Sequence, residues 1–165
     1  MTTQEISTFL EQFQTLMMAS LTPEGEVHAS TAPFVQQGNE FYILISTVAQ
    51  HGRNLLNSQK VSLLFAEDEA KTLQPFARKR ITIDATVSEI LREEGAFETM
   101  MRSFKEKFDG DLITSLSGMG DFHLFKLSTL SGNVVMGFGQ AYRLNEKLEV
   151  MRVIMGQHQK GHTRS

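Results

Sequence analysis

The chain has 165 residues, a formal net charge of −3 and 41% hydrophobic residues, which suits one folded domain with a real core. It contains no Cys, which excludes disulfide scaffolds, Cys-ligated metal centres and a Cys nucleophile. The longest purely apolar run, Phe41 to Ile45, falls far short of the roughly 20 residues that span a bilayer. The first residues lack the basic and apolar regions of a secretory signal, and a pI near 5.9 gives no global attraction to nucleic acid. The expectation is a cytoplasmic protein that neither enters membranes nor binds nucleic acid.

Ile6, Phe9, Leu10 and Phe13 recur at helical spacing over residues 3–14, behind Thr3 as an N-cap. Leu16 to Leu21 and Val27 to Val35 flank the turn signal Thr22-Pro23-Glu24-Gly25 and read as a hairpin. A second turn at Gln37-Gly38-Asn39 leads into a strand from Phe41 to Ile45. Residues 47–58 read as a short helix, Val61 to Ala66 as a strand, and Glu67 to Pro75 as a polar crossing. From Arg80 to Ile90 the alternation of Ile81, Ile83, Ala85 and Val87 with polar residues predicts a half-buried strand. Phe97, Met100, Met101, Phe104 and Phe108 form a helical stripe within 92–108, and residues 112–119 give a second helical piece. Phe122 to Leu130 and Asn133 to Leu144 read as a long hairpin about Ser131-Gly132. About six strands with inserted helices, and no repeated βαβ unit, argue for an antiparallel barrel. Residues 1–150 make up the domain, and residues 151–165, which carry three cations, two His and no acid, form a tail.

Chemistry concentrates in three places. His158 and His162 in the Gly-containing tail are free of core packing, so they are either solvated residues or neutral imidazole ligands for a metal. Arg78-Lys79-Arg80 precedes the alternating strand, where at least one cation should point inward and would need an anionic partner. The same cluster also suits an edge strand protected by charge. Ser46-Thr47, with His51, Arg53 and Asn54, marks a helix start that either collects phosphate or is simply capped by a hydroxyl. Gly137-Phe138-Gly139-Gln140 is placed in a strand, Asp121 at a strand start as a turn former, and His28 and His123 as structural residues.

Four stretches occur in order: His28-Ala29-Ser30-Thr31-Ala32-Pro33-Phe34; Gln50-His51-Gly52-Arg53-Asn54-Leu55; Phe76-Ala77-Arg78-Lys79-Arg80; and Asp121-Phe122-His123-Leu124-Phe125 followed by Gly137-Phe138-Gly139-Gln140-Ala141-Tyr142. Together they resemble the HugZ/HutZ-type haem-utilisation proteins. That family is a branch of the FMN-binding, pyridoxamine-phosphate-oxidase-like split-barrel superfamily. The resemblance implies a mainly β (α+β) fold, a six-stranded antiparallel split barrel with peripheral helices, forming a homodimer with two sites at the subunit interface.

It further implies haem as ligand and substrate, opened oxidatively to a biliverdin-like product with release of iron. A histidine of the C-terminal loop would ligate the iron, His162 in preference to His158, with Asp121 as the acid that hydrogen-bonds it. Arg78, Lys79 and Arg80 would supply the cations near the haem, and Ser46, Thr47, His51 and Arg53 would line the cofactor side. A carboxylate on the second ring nitrogen fixes the tautomer and increases donation to iron. With no Cys pair or nicotinamide motif in the chain, electrons would come from a partner reductase. Two other readings stay open: a haem carrier without turnover, and an FMN-dependent oxidoreductase whose phosphate is held by Ser46, Thr47 and Arg53.

Overall fold

The computed structural model describes residues 1–153. The order is α1 (Thr3–Leu10), β1 (Thr15–Leu21), β2 (Val27–Gln37), β3 (Glu40–Ser46), α2 (Gln50–Asn57), β4 (Lys60–Ala66), β5 (Arg80–Ile90), α3 (Gly95–Lys107), α4 (Gly110–Ser117), β6 (Phe122–Val135), β7 (Ala141–Leu144) and β8 (Val150–Val153). Thr2, rather than Thr3, caps α1, in a reciprocal pair in which the Glu5 N–H donates to Thr2 and the Thr2 N–H donates to the Glu5 carboxylate. None of the described helices is long and apolar enough to cross a membrane.

All strand pairings are antiparallel, and pairing of β3 with β6 closes a six-stranded ring in the order β1-β2-β3-β6-β5-β4. Period-two alternation sends Leu16, Met18, Phe34, Phe41, Ile43, Leu63, Phe65, Ile81, Ile83, Phe125 and Leu127 into one core. Phe34, Phe41 and Phe65 meet at its centre, with ring centroids 5.3–5.9 Å apart. A second core lies outside the ring, where α3 and α4 bury Phe97, Met100, Met101, Phe104 and Ile113 against Val35, Tyr42, Leu44 and Leu124. The barrel and its peripheral helices are those expected, with two further strands, β7 and β8, appended to β6.

The long hairpin turns elsewhere than expected. β6 runs unbroken through Ser131-Gly132, paired with β5 along most of its length, and the reversal to β7 comes at residues 136–140. Gly139, at φ +69°, takes the left-handed position of that turn, so the glycines assigned to a strand are turn residues. Gly132 serves the opposite need: a Cβ there would lie 2.9 Å from the Thr82 carbonyl oxygen and 3.3 Å from Leu144 Cδ1. The segment drawn as a tail from residue 151 also begins as strand, since Met151, Arg152 and Val153 belong to β8. His158 and His162 lie outside the described residues.

Candidate functional site

The corner between β3 and α2 is built by close packing and a buried polar pair. A Cβ on Gly52 would sit 2.1 Å from the Ser46 carbonyl oxygen, so only glycine lets the first turn of α2 rest on the end of β3. One turn on, fully buried Asn54 donates to the Ser20 hydroxyl at 3.0 Å and accepts from Gln50 at 2.7 Å. Leu55 completes the contact by entering the barrel core.

Asp121 is stitched to this corner twice. The Ser46 hydroxyl donates to Asp121 Oδ2 at 2.6 Å, and the Thr47 N–H donates to the Asp121 carbonyl at 2.8 Å, joined by the Thr47 hydroxyl at 3.1 Å. Ser46 Oγ in turn accepts the Val48 N–H. Among the described residues nothing donates to Asp121 Oδ1, which leaves that oxygen free to accept a further proton donor. The turn-former reading of Asp121 therefore covers its carbonyl, whereas the carboxylate serves the corner.

His51 stands on α2 with Nδ1 3.1 Å from the Ser30 hydroxyl. Burial lowers its pKa below the ordinary 6.5, with a smaller contribution in the same direction from His28, so the imidazole is neutral at pH 7. Arg53 folds back along its own helix, donating to the Val48 carbonyl and, at 2.8 Å, to Gln50 Oε1. The residues read as a phosphate cradle are thus engaged within the chain, and the Asp121 carboxylate beside Ser46 opposes a second anion there.

Arg78, Lys79 and Arg80 lie at the opposite end of the barrel. Arg78 Nε donates to the Glu67 carbonyl at 2.7 Å and Arg80 to the Arg78 carbonyl at 2.8 Å; both side chains are half-buried, and Lys79 is exposed. The expected inward cation is not found: Arg80 shares the outward row of β5 with Thr82 and Asp84, while Ile81 and Ile83 fill the interior. Arg80 pairs with Val135 at the far end of β6, whereas Asp121 precedes Phe122 at its start. At about 3.3 Å per residue those ends are roughly 40 Å apart along the strand. One chain therefore does not bring its own Asp121 and Arg80 together.

Between these ends the outer wall of β1, β2, β4 and β5 forms an open cleft of about 520 Å³, whose lining includes Met17, Ala19, Ala29, Thr31, Leu64 and Thr82. This outward sheet face carries small and apolar residues, with Met17 38% and Val27 76% exposed.

Two sets of contacts were not legible in the sequence. His123, expected as a structural residue, is held through Nδ1 by Glu89 and stacks on Phe125, with centroids 6.4 Å apart at 19°; Phe125 lies in the same sequence stretch, whereas Glu89 comes from β5 and shares none. Arg92 donates to the carbonyls of Ser117, Met119 (2.7 Å) and Phe122 (2.9 Å), closing the turn that carries Asp121. No group of three or more His, Cys, Asp or Glu side chains stands ready for a metal among the described residues.

The closed six-stranded antiparallel ring with helices on its outside defines a split-barrel protein. Residues 2–135 match the family model for pyridoxamine 5'-phosphate oxidase. The chain is 40% identical over 141 residues to the heme oxygenase HutZ of Vibrio cholerae, which covers 86% of this chain and 80% of HutZ. A crystal structure of HutZ, described as the heme storage protein from Vibrio cholerae, superposes with a TM-score of 0.71 at 39% identity, over 75% of this chain and 87% of that one. Campylobacter jejuni ChuZ superposes with a TM-score of 0.82 at 32% identity, over 98% of this chain and 66% of ChuZ. The chain belongs to the pyridoxamine 5'-phosphate oxidase family and, within it, to the HugZ/HutZ haem-utilisation type.

Proposed function

We propose that two copies of this chain bind haem between them and open its porphyrin ring oxidatively, releasing iron and a biliverdin-like product. The observation that carries the shared site is the separation of Asp121 from Arg80 within one chain. Apposition of two copies across the apolar outer wall would bring the cationic end of one barrel to the α2 corner of the other. The residues fit the substrate's chemistry. The wall around Met17 and Leu64 is apolar like the macrocycle, Arg78, Lys79 and Arg80 offer charge to its propionates, and Asp121 Oδ1 is free to accept an imidazole N–H.

The axial imidazole in this reading is His162, with His158 as the alternative. Val153 lies opposite Tyr142, which lies opposite Val134, itself opposite Ile81, so the described chain ends on the Arg80 side of the barrel. From there nine residues lead to His162, while the same chain's Asp121 lies at the other end of the barrel. In this reading the acid–imidazole pair forms between protomers. Asp121 would hold the ligand's second nitrogen protonated and fix its orientation, a neutral His51 would line the cleft without adding charge, and the apolar wall would exclude water. Bound haem supplies the iron and the reactive meso carbon, while O₂ and electrons come from outside the chain, the latter from a reductase.

Relatives are described both as a heme oxygenase and as a heme storage protein, so turnover is what must be measured. Hemin added to the purified protein should give a sharp Soret band that decays under ascorbate, air and catalase as biliverdin-like absorbance rises. The double variant His158→Ala, His162→Ala should stay folded and lose that decay. A Soret band stable to reductant and O₂ in the wild-type protein would leave a haem carrier.

A further inference from the structure

We infer that Arg92 is a positioning residue for the Asp121 carboxylate, an assignment that rests on the haem reading for its purpose but not for its geometry. Three backbone carbonyls from one short segment converge on a single guanidinium: Ser117, Met119 at 2.7 Å and Phe122 at 2.9 Å. Ser117 is the last residue of α4, where unpaired carbonyls and the negative end of the helix dipole collect. Phe122 is the first residue of β6. Arg92 therefore spans both sides of the Gly118–Asp121 turn. Its own side is anchored as well, because the guanidinium carbon lies 5.2 Å from the centroid of buried Phe97 on α3.

Apart from the bonds that Asp121 makes to Ser46 and Thr47, Arg92 is the one side chain among the described residues that bonds this turn to the rest of the fold. Gly118 and Gly120 flank Met119, and Met119, Gly118 and Gly120 are exposed, so the backbone would be free to swing without the clamp. Three backbone hydrogen bonds of the segment, Gly118 N–H to Thr114, Met119 N–H to Leu116 and Phe122 N–H to Met119, are local and add no fastening to the barrel. A swing would move Asp121, and with it the bonds to Ser46 and Thr47 that join β6 to the α2 corner. Only a planar, five-donor fork reaches three carbonyls at once; a lysine ammonium at this site keeps the charge but not the span.

The test uses the full-length protein with Arg92→Lys and Arg92→Gln, first without haem. Backbone hydrogen exchange at the Thr47 amide, which donates to the Asp121 carbonyl, should accelerate about tenfold or more in both variants, while amides in β1 and β4 keep their protection. Unchanged exchange at Thr47 would overturn the assignment whether or not the protein binds haem. The second arm adds hemin. Arg92→Lys should shift the Soret and charge-transfer bands in the same direction as Asp121→Asn, and the double variant should shift them no further than Asp121→Asn alone. Additive shifts would show that Arg92 acts independently of Asp121 and would also overturn it. Failure of the wild-type chain to bind hemin would remove the haem reading and leave the exchange result to decide the role of Arg92.

Discussion

His51 shows how one residue ties stability to the site. Its folded pKa lies below 6.5 because burial disfavours the imidazolium, so between the folded and unfolded values the unfolded chain binds the extra proton. Stability linked to His51 is then fully present above about pH 6.5 and declines as pH falls through the lowered folded pKa. Chemical denaturation between pH 7.5 and 5.5 should show a steeper loss of stability in the wild-type protein than in His51→Gln, and equal slopes would refute the assignment. Gly52 makes the complementary steric case. Gly52→Ala places a methyl against the Ser46 carbonyl, at 2.1 Å if nothing moves, and should cost about 1–3 kcal/mol of unfolding free energy in urea. In the sequence His51 and Gly52 were visible as part of a motif, but the steric reason for the glycine was not, because the strand end that it touches comes from outside its own helix.

At the scale of elements, periodicity carried the reading furthest where one face of an element is buried. The alternation of Ile81, Ile83 and Ala85 and the stripe of Phe97, Met100, Met101 and Phe104 are both reproduced as core faces. Glycine was read less well, because a sequence cannot distinguish a glycine needed for φ from one needed for space. Ser131-Gly132 resembles a turn, yet Gly132 is there because Thr82 and Leu144 leave no room for a Cβ. Gly137 and Gly139 resemble strand glycines, yet they reverse the chain. The buried Asn54–Ser20 bond is the polar fastening of α2 over the barrel. Asn54→Ala should leave the Ser20 hydroxyl unpaired in the core and cost about 1–3 kcal/mol, read from urea denaturation, and a neutral result would show that the helix docks by packing alone.

Over the whole molecule, the sequence places its chemistry in three stretches that the resemblance joins at a subunit interface, and the fold separates the described ones to the two ends of a barrel. Asp121, Ser46, Thr47, His51 and Arg53 gather at the α2 corner, and Arg78, Lys79 and Arg80 gather where β5 begins. Sequence order cannot reveal this, because β6 carries Asp121 to one end and the partner of Arg80 to the other. The apolar wall that includes Met17 and Leu64 offers the surface on which two copies would meet. Leu64→Lys, which buries a charge in such an interface, should shift the protein from dimer to monomer in sedimentation and weaken hemin binding with it. An unchanged sedimentation coefficient would remove this face from the assembly.

The most direct test of a site shared between two chains is complementation in a mixed dimer. Asp121→Asn and Arg80→Ala chains, each carrying a different affinity tag, would be coexpressed and the heterodimer isolated through both tags. If each site takes Asp121 from one chain and Arg80 from the other, one site of the heterodimer has both native residues and the other has neither. Hemin titration should then show one site per dimer with the wild-type spectrum and reductant-dependent decay, against none in either parent homodimer. If each site is built within a single chain, every site of the heterodimer lacks one residue, and the absence of any restored wild-type site would contradict the account.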